Sequence, residues 1–451
     1  MAIGDPLLTD LYELNMAASY LRRGMAQQAT FSLFVRSLPP TRGFLVAAGL
    51  EDCLDYLEQL HFSSDDIDYL AELGYGTDEL DQFRQLRFSS DVWAVPEGRI
   101  VFADEPLLEV TAPLPEAQLV ETLLLNQVTY QTNLATKAAR CRLAAAGRID
   151  LVDFSLRRTH GIEAGAAVAR CSAMVGFVAT SNVAAARRFG LVPAGTMAHS
   201  YIEAFPNEQA AFRAFAEDFP DRVTFLVDTY DTLRGVQHAI EVIRERDLGD
   251  RAAVRLDSGD LADLARQTRT LLDDAQLPGV RIFVSGGLDE FDLEQLVIAG
   301  APIDAAGVGT RLGVAADAPY LDSVYKLVAV DGRPVMKLSP GKVTRPGAKQ
   351  IFRAPGLSDT LALRDEPRPA EPPATERLLV PVMAGGRRMR ARDALAVARA
   401  RFEEDLAVVP PGAAALTNPR APRPAVSPAL EALTARTAAG AAAGASGHAQ
   451  P

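Results

Sequence analysis

Two neighbouring arginines, an isolated histidine, a pair of aspartates around a Ser-Gly turn and two glycine clusters hold most of the chemical potential of this chain. Arg157 and Arg158 follow Asp153-Phe154-Ser155-Leu156. Adjacent guanidiniums grip anions through bidentate forks, or else one of them pairs with Asp153 or faces solvent. Phe154, taken alone, reads more readily as core than as a stacking platform. Of the five histidines, His61 and His238 lie in helical patterns, His448 lies in the tail and His160 follows the arginine pair in a loop. His199 closes an apolar run among small residues, in Gly195-Thr196-Met197-Ala198-His199-Ser200. An imidazole there can serve as a base, a ligand or a nucleophile toward phosphate. In Arg255-Leu256-Asp257-Ser258-Gly259-Asp260, two carboxylates bracket a turn. They suit ribose hydroxyls or Mg²⁺, and Asp260 also suits the cap of a following helix. Ser285-Gly286-Gly287 and Gly307-Val308-Gly309-Thr310-Arg311 are turns where backbone N–H groups can approach a phosphate. The set describes a pocket for a phosphorylated sugar beside an anionic co-substrate.

Cations are distributed unevenly. The chain carries 41 arginines and five lysines, and Lys326, Lys337, Lys342 and Lys349 fall in one stretch. That stretch is either a solvated face or a segment that needs a compact ammonium for phosphate, which arginine imitates poorly.

These residues need a scaffold that gathers them. Seven short apolar runs each close on a polar or glycine cluster: IDLVDFSLRR from Ile149, AMVGFVATSN from Ala173, LVPAGTMAHS from Leu191, VTFLVDTYDT from Val223, AVRLDSGD from Ala253, VRIFVSGG from Val280 and PIDAAGVGTR from Pro302. Buried runs alternating with helical segments predict parallel strands with helical crossovers. Seven in succession favour a closed βα-barrel over an open doubly wound sheet. Barrel chemistry sits at the carboxyl ends of the strands, where the residues above fall.

The flanks read differently. Residues 1–115 predict an α+β domain, with a helix over Asp10–Tyr20, an alternating strand over Ala29–Val35, a helix over Gly49–Leu60 and two short strands within Arg99–Ala112. From Glu116 to about Ala146 no Pro or Gly interrupts a helical pattern, which predicts one long spine. The barrel is assigned to 116–335. Residues 336–410 are expected to rejoin the first domain as a sandwich, with a hairpin at Asp331-Gly332 and a strand pair around Gly385-Gly386 before a helix. Residues 411–451 are Ala/Pro-rich and read as a disordered tail without assignable role.

Composition narrows the class. With 451 residues and 48% hydrophobic content, the chain can bury a large core in two or three domains. The apolar runs fall well short of the roughly 20 residues a membrane span needs, and Met1–Tyr12 lacks a signal-peptide pattern. Three scattered cysteines, Cys53, Cys141 and Cys171, fit a reducing cytoplasm and argue against a zinc site. A net charge of −12 disfavours nucleic acid as a partner.

Several collinear segments resemble nicotinate phosphoribosyltransferases: LLTDLYELNMAASY from Leu7, DFSLRRTHG from Asp153, VPAGTMAHSYIEAF from Val192, then LVDTYDTLRG, VRLDSGDL, IDAAGVGTRLG, SVYKLV and MKLS. They cover roughly residues 5–355 and leave the end of the chain uncovered. The resemblance implies an irregular seven-stranded βα-barrel joined to an α/β sandwich built from N- and C-terminal segments, working as a cytoplasmic homodimer with shared active sites. It implies that Tyr12 reaches across the dimer to stack on nicotinate, with Phe154 on the other face. Arg157, Arg158, Thr196 and Ser200 would lie beside the base and the phosphoribosyl group, and Arg255 and Asp257 would hold base and ribose. Gly286, Gly287, Gly309, Thr310 and Ser339 would bind phosphates. His199 matches the histidine that the family phosphorylates from ATP.

The implied reaction joins nicotinate to phosphoribosyl pyrophosphate with Mg²⁺ on the leaving pyrophosphate, ATP-coupled as in a ligase, at the first step of NAD salvage. Four other readings compete. A nicotinamide phosphoribosyltransferase would want an acid near Ala179-Thr180-Ser181-Asn182, where there is none. A quinolinate enzyme would want more cations and no such histidine. A sugar-phosphate aldolase would want a strand-end lysine between Lys137 and Lys326, and none exists. A catalytically retired relative acting as a binding protein is opposed by intact Tyr12, Arg157, His199 and Asp257.

Overall fold

The computed structural model describes residues 4–339, 344–370, 372 and 374–446. Two compact units emerge, one of Met1–Asn133 with Tyr320–Pro451, the other of Leu134–Pro319. The second unit therefore starts later and ends earlier than the expected 116–335. The cause is the expected spine. It forms as two helices, Leu114–Leu119 and Glu121–Ala144, with Val120 between them. The start of the longer helix packs Leu123, Leu124 and Val128 into the core of the first unit.

The first unit is built on antiparallel strands. Its seven-stranded sheet runs in the order Arg333–Pro334, Ser323–Val330, Gln28–Val35, Pro106–Pro113, Asp91–Ala94, Val380–Ala384, Arg387–Arg388. Gln28–Val35 is buried at seven of its eight positions rather than alternately, because it lies inside the sheet between two long partners. Phe31 stacks on Tyr325 of the adjacent strand at 4.7 Å between ring centroids. The Asp331-Gly332 turn has positive φ at both residues, 46° and 72°, as a tight two-residue hairpin demands.

A second sheet of four strands joins Glu376–Arg377, Lys349–Ala354, Ser358–Leu363 and Ala425–Val426. Here the expectation of a disordered tail fails. Ala425–Val426 pairs in parallel with Thr360–Leu361, and the helix Pro428–Ser446 sends Leu430 fully into the core. Alanine is the strongest helix former, so an Ala-rich stretch with one well-placed leucine orders once a sheet receives it. Residues 447–451 lie outside the described residues.

The second unit carries a parallel sheet in the order Ala179–Thr180, Asp150–Asp153, Ala305–Val308, Arg281–Val284, Ala252–Leu256, Val223–Leu226. Pro193 adds a single parallel bridge to Thr180. Numbered along the chain, the seven runs therefore lie in the order 3-2-1-7-6-5-4. Pairing of the last run with the first is what a barrel requires, and its seam falls between runs three and four. Run three is a bridge rather than a strand, and run two shrinks to two residues because the helix Ile162–Met174 takes up its beginning.

Each later loop follows one plan. Asp231, Asp260 and Asp289 cap the helices Thr232–Glu245, Leu261–Asp274 and Glu290–Ile298 with their side chains. Each cap stands three residues past a residue of the loop that leaves the strand: Asp228, Asp257 and Gly286. Within this unit, Lys137 and Arg140 pair with Glu290 and Asp317 in a buried set of charges. Among the described residues, no helix is long and apolar enough to cross a membrane.

Candidate active site

Parallel strands end on one side, so the loops after Asp153, Leu226, Leu256, Val284 and Val308 share one edge of the sheet. Arg255, the penultimate residue of its strand, ties that edge together. Its Nε donates to Ser285 Oγ at 2.7 Å, one terminal nitrogen to Thr196 Oγ1 at 2.9 Å, and the other to Asp257 Oδ1 at 2.7 Å. A guanidinium has five N–H groups, so two remain for a ligand. The cation also lies 5.5 Å from the centroid of the Phe154 ring. That ring stacks on Phe283 and crosses the last strand where only glycine leaves room: a Cβ on Gly307 would come within 2.6 Å of it. Phe154 is half-buried, so one edge of a flat, cation-backed surface stays open.

His199 opens the short helix His199–Glu203 and is held from two sides. Its Nδ1 is 3.1 Å from Thr229 Oγ1, and its Nε2 faces Asp257 Oδ2 at 4.0 Å. Asp257 is thus shared: one oxygen binds Arg255 and accepts from Ser285, and the other looks at the histidine. Asp228 fixes the same loop, with Oδ2 accepting from the Asp257 N–H at 3.0 Å and from Ser258 Oγ at 2.5 Å. Its Oδ1 is buried and takes no hydrogen bond. These carboxylate oxygens are the hard donors a Mg²⁺ ion accepts. Among the described residues, no group of three or more His, Cys, Asp or Glu side chains is arranged to hold a metal alone. The set fits an ion held jointly by protein and a phosphorylated ligand.

The remaining candidates separate. Arg157 and Arg158 sit exposed on a 3₁₀ turn and form no ion pair among the described residues, which leaves both free for an anion. Asp153, weighed as their partner, is buried and instead accepts from the Ser155 N–H at 2.9 Å and from Thr180 Oγ1 at 2.7 Å. Burial pushes its carboxyl above the usual range, and these hydrogen bonds pull it back in part. Gly286 and Gly287 have positive φ, 111° and 75°. Gly286 presses against the Asp257 carbonyl, which a Cβ would meet at 2.1 Å, whereas Gly287 faces open space. Gly309 and Thr310 begin a helix of four residues, and Ser200 is exposed. Asp260 is the helix cap, its side chain accepting from the Asp263 N–H.

Tyr12 and Ser339 belong to the other unit, both exposed. The Tyr12 hydroxyl is held far above its ordinary pKa by burial and by Glu121 and Glu13. Within the lysine stretch, Lys349 is buried against Glu109 at 3.3 Å, with its pKa lowered chiefly by that burial, and Lys342 lies outside the described residues. Sequence reasoning named Ser285 only within its glycine turn and gave Asp228 and Thr229 no role. The rule that singled out Asp257, the first polar residue after an apolar run, finds Asp228 and Ser285 as well.

A parallel barrel with these groups at its carboxyl edge defines the class of barrel-type phosphoribosyltransferases. Residues 7–129 match the nicotinate phosphoribosyltransferase N-terminal domain, and residues 149–353 match the nicotinate phosphoribosyltransferase family. A Mycobacterium tuberculosis nicotinate phosphoribosyltransferase is 48% identical over 392 residues, 85% of this chain and 83% of that protein. The Bacillus subtilis enzyme is 46% identical over 80% of this chain and 76% of its own length. The crystal structure of human nicotinic acid phosphoribosyltransferase superposes with a TM-score of 0.84 at 31% identity, covering 96% of this chain and all of that one. The chain belongs to the nicotinate phosphoribosyltransferase family.

Proposed function

We propose that this chain joins nicotinate to phosphoribosyl pyrophosphate, releasing pyrophosphate and forming nicotinate mononucleotide, with ATP consumed through phosphorylation of His199. The observation that carries the reading is the Arg255 knot, a cation bound to Thr196, Ser285 and Asp257 beside the open Phe154 ring. Nicotinate is a flat ring with a carboxylate. Phe154 offers its ring an aromatic edge, and the two spare N–H groups of Arg255, with Arg157, offer its charge a partner. The ring nitrogen attacks C1 of the ribose, the bond from C1 to the pyrophosphate oxygen breaks, and its electron pair leaves with pyrophosphate. No proton moves in this step. Asp257 orients the ribose as positive charge develops at C1.

Asp228 and Asp257 are the residues that would hold Mg²⁺ together with the pyrophosphate, where the ion neutralises the leaving group. Gly286, Gly287, Gly309, Thr310, Arg158 and Ser339 are assigned to phosphates, and Thr196 and Ser200 to the phosphoribosyl group. The contact of Nδ1 with Thr229 Oγ1 suits the tautomer that carries its proton on Nδ1, in which the lone pair of His199 lies on Nε2. Nε2 attacks the γ-phosphorus of ATP and ADP departs; water later cleaves the phosphohistidine to phosphate. The assembly proposed is a homodimer in which Tyr12 of one copy completes the site of the other. The setting proposed is the cytoplasm, in keeping with three buried free cysteines.

The test offers phosphoribosyl pyrophosphate and Mg²⁺ with nicotinate, nicotinamide or quinolinate in turn, with and without ATP. Nicotinate mononucleotide formed fastest with ATP is the expected result, and no product from any base would overturn the reading. His199→Ala is expected to abolish phosphoryl-enzyme and ATP stimulation while slow ATP-independent transfer persists.

A further inference from the structure

His199 and Thr229 touch across 30 residues of sequence, and nine residues beyond each lies a second contact in the same register, Glu208 with His238. His199 leads through Pro206 and the cap Asn207 into the helix Glu208–Asp218. Thr229 leads through the cap Asp231 into the helix Thr232–Glu245. The short helix bearing His199 also rests on the first of these, with Tyr201 edge-on to Phe215 at 5.5 Å. Whatever sets the spacing of the two long helices therefore sets the spacing of His199 and Thr229.

Four polar pairs join the two helices. Gln209 meets Glu241, Arg213 meets Glu245 at 2.8 Å, and Arg246 meets Glu217 at 3.0 Å. These three are exposed, and water screens them. The fourth, His238 Nδ1 to Glu208 Oε2 at 2.8 Å, lies at the end nearest His199, with side chains only 22% and 5% exposed. Glu208 Oε1 is buried and takes no hydrogen bond, so His238 is the one side chain among the described residues bonded to that carboxylate. Loss of His238 would strand a buried carboxylate where the two helices meet.

We infer that Glu208 and His238 form a positioning pair for His199, holding its Nδ1 on Thr229 and thereby its Nε2 toward Asp257. The pair touches neither substrate nor reacting atoms. The inference rests on the reading of His199 as the phosphoryl acceptor.

The experiment compares His238→Ala, His238→Lys and Glu208→Gln with the parent chain. It measures the midpoint of thermal unfolding, the labelling of enzyme by γ-³²P-ATP, and kcat and KM for nicotinate with ATP. His238→Ala and Glu208→Gln are expected to lower labelling and ATP-stimulated kcat about tenfold, since small displacements of a reacting group cost rate steeply. KM for nicotinate should stay within about twofold, because the groups assigned to that ligand lie elsewhere. His238→Lys, which gives Glu208 an N–H donor again, is expected to recover most of both losses. Parent-like labelling and kcat in either of the first two variants would overturn the inference, as would a KM rise with kcat unchanged. Should His238→Ala not fold, Glu208→Gln against His238→Lys carries the same comparison. His199→Ala separates the two claims. Label persisting in that variant removes the acceptor reading itself, whereas label lost there but intact in His238→Ala removes only the positioning role.

Discussion

Arg255 shows how much one side chain organises. Its three donors reach residues that follow three different apolar runs, at positions 196, 257 and 285, so the guanidinium fixes loop spacing as well as charge. Lysine cannot imitate a planar fork with fixed angles. Arg255→Lys is expected to lower kcat/KM for nicotinate by about 100-fold, or about 2.7 kcal/mol, in line with losing charge-assisted hydrogen bonds. Initial rates across nicotinate concentrations check it, and a loss of less than about threefold would mean that the fork is not used. Asp257 and His199 were legible in the sequence because each stands where an apolar run stops, whereas Arg255 and Thr196 drew their roles from the family resemblance. The contacts among the four were not legible, since nothing in the spacing of residues 196, 257 and 285 tells that one cation joins them. Asp228 stands in the polar end of its own run, VTFLVDTYDT, and its residue type alone does not set it apart from Asp231, which only caps a helix.

At the scale of elements, turn and cap chemistry was the most readable feature. Asp331-Gly332 forms the hairpin turn its residue types demand, and Asp260 caps its helix. Elements whose order depends on distant partners were not readable. Run three is a single bridge, in which Thr180 donates to the Val192 carbonyl and accepts from the Ala194 N–H, while Pro193 has no N–H to offer a second neighbour. The helix Pro428–Ser446 was hidden by its composition, since alanine carries little burial signal and the sheet that receives it lies some 70 residues earlier, at Ser358–Leu363. The packed helix makes a prediction that a disordered tail would not. Leu430→Ala removes a fully buried side chain and is expected to cost about 2–5 kcal/mol, read as a lowered urea midpoint with an unchanged slope. An unchanged midpoint would mean that the helix adds nothing to the core.

The molecule as a whole is a chain whose two ends must meet, because Met1–Asn133 and Tyr320–Pro451 fold as one unit with the barrel inserted between them. Apolar packing drives that meeting, and a buried set of charges gives it register. Arg353 donates twice to Asp359, at 2.9 and 2.6 Å, and once to Asp405 at 3.1 Å; Arg99 donates to Asp405 at 2.9 Å. Glu105 lies beside this set. Its Oε2 accepts from the Phe102 N–H at 2.8 Å, and its Oε1 is buried without a hydrogen bond. Burial, and then the negative charge of Asp359, push its carboxyl well above the ordinary range. The folded chain therefore keeps a proton on Glu105 that the unfolded chain gives up near the usual glutamate value. Below that value both states are protonated and the contribution to stability is whole. As pH rises from there toward the folded value, the unfolded state binds fewer protons and this contribution is progressively lost. Glu105→Gln, uncharged at every pH, removes the linkage. Urea unfolding from about pH 5 to about pH 8 is expected to show the parent chain losing stability relative to the variant as pH rises, with the two most alike at the acid end. Parallel stability curves would mean that Glu105 is ionised in the folded protein, adding a further anion to the charge set that joins the chain ends.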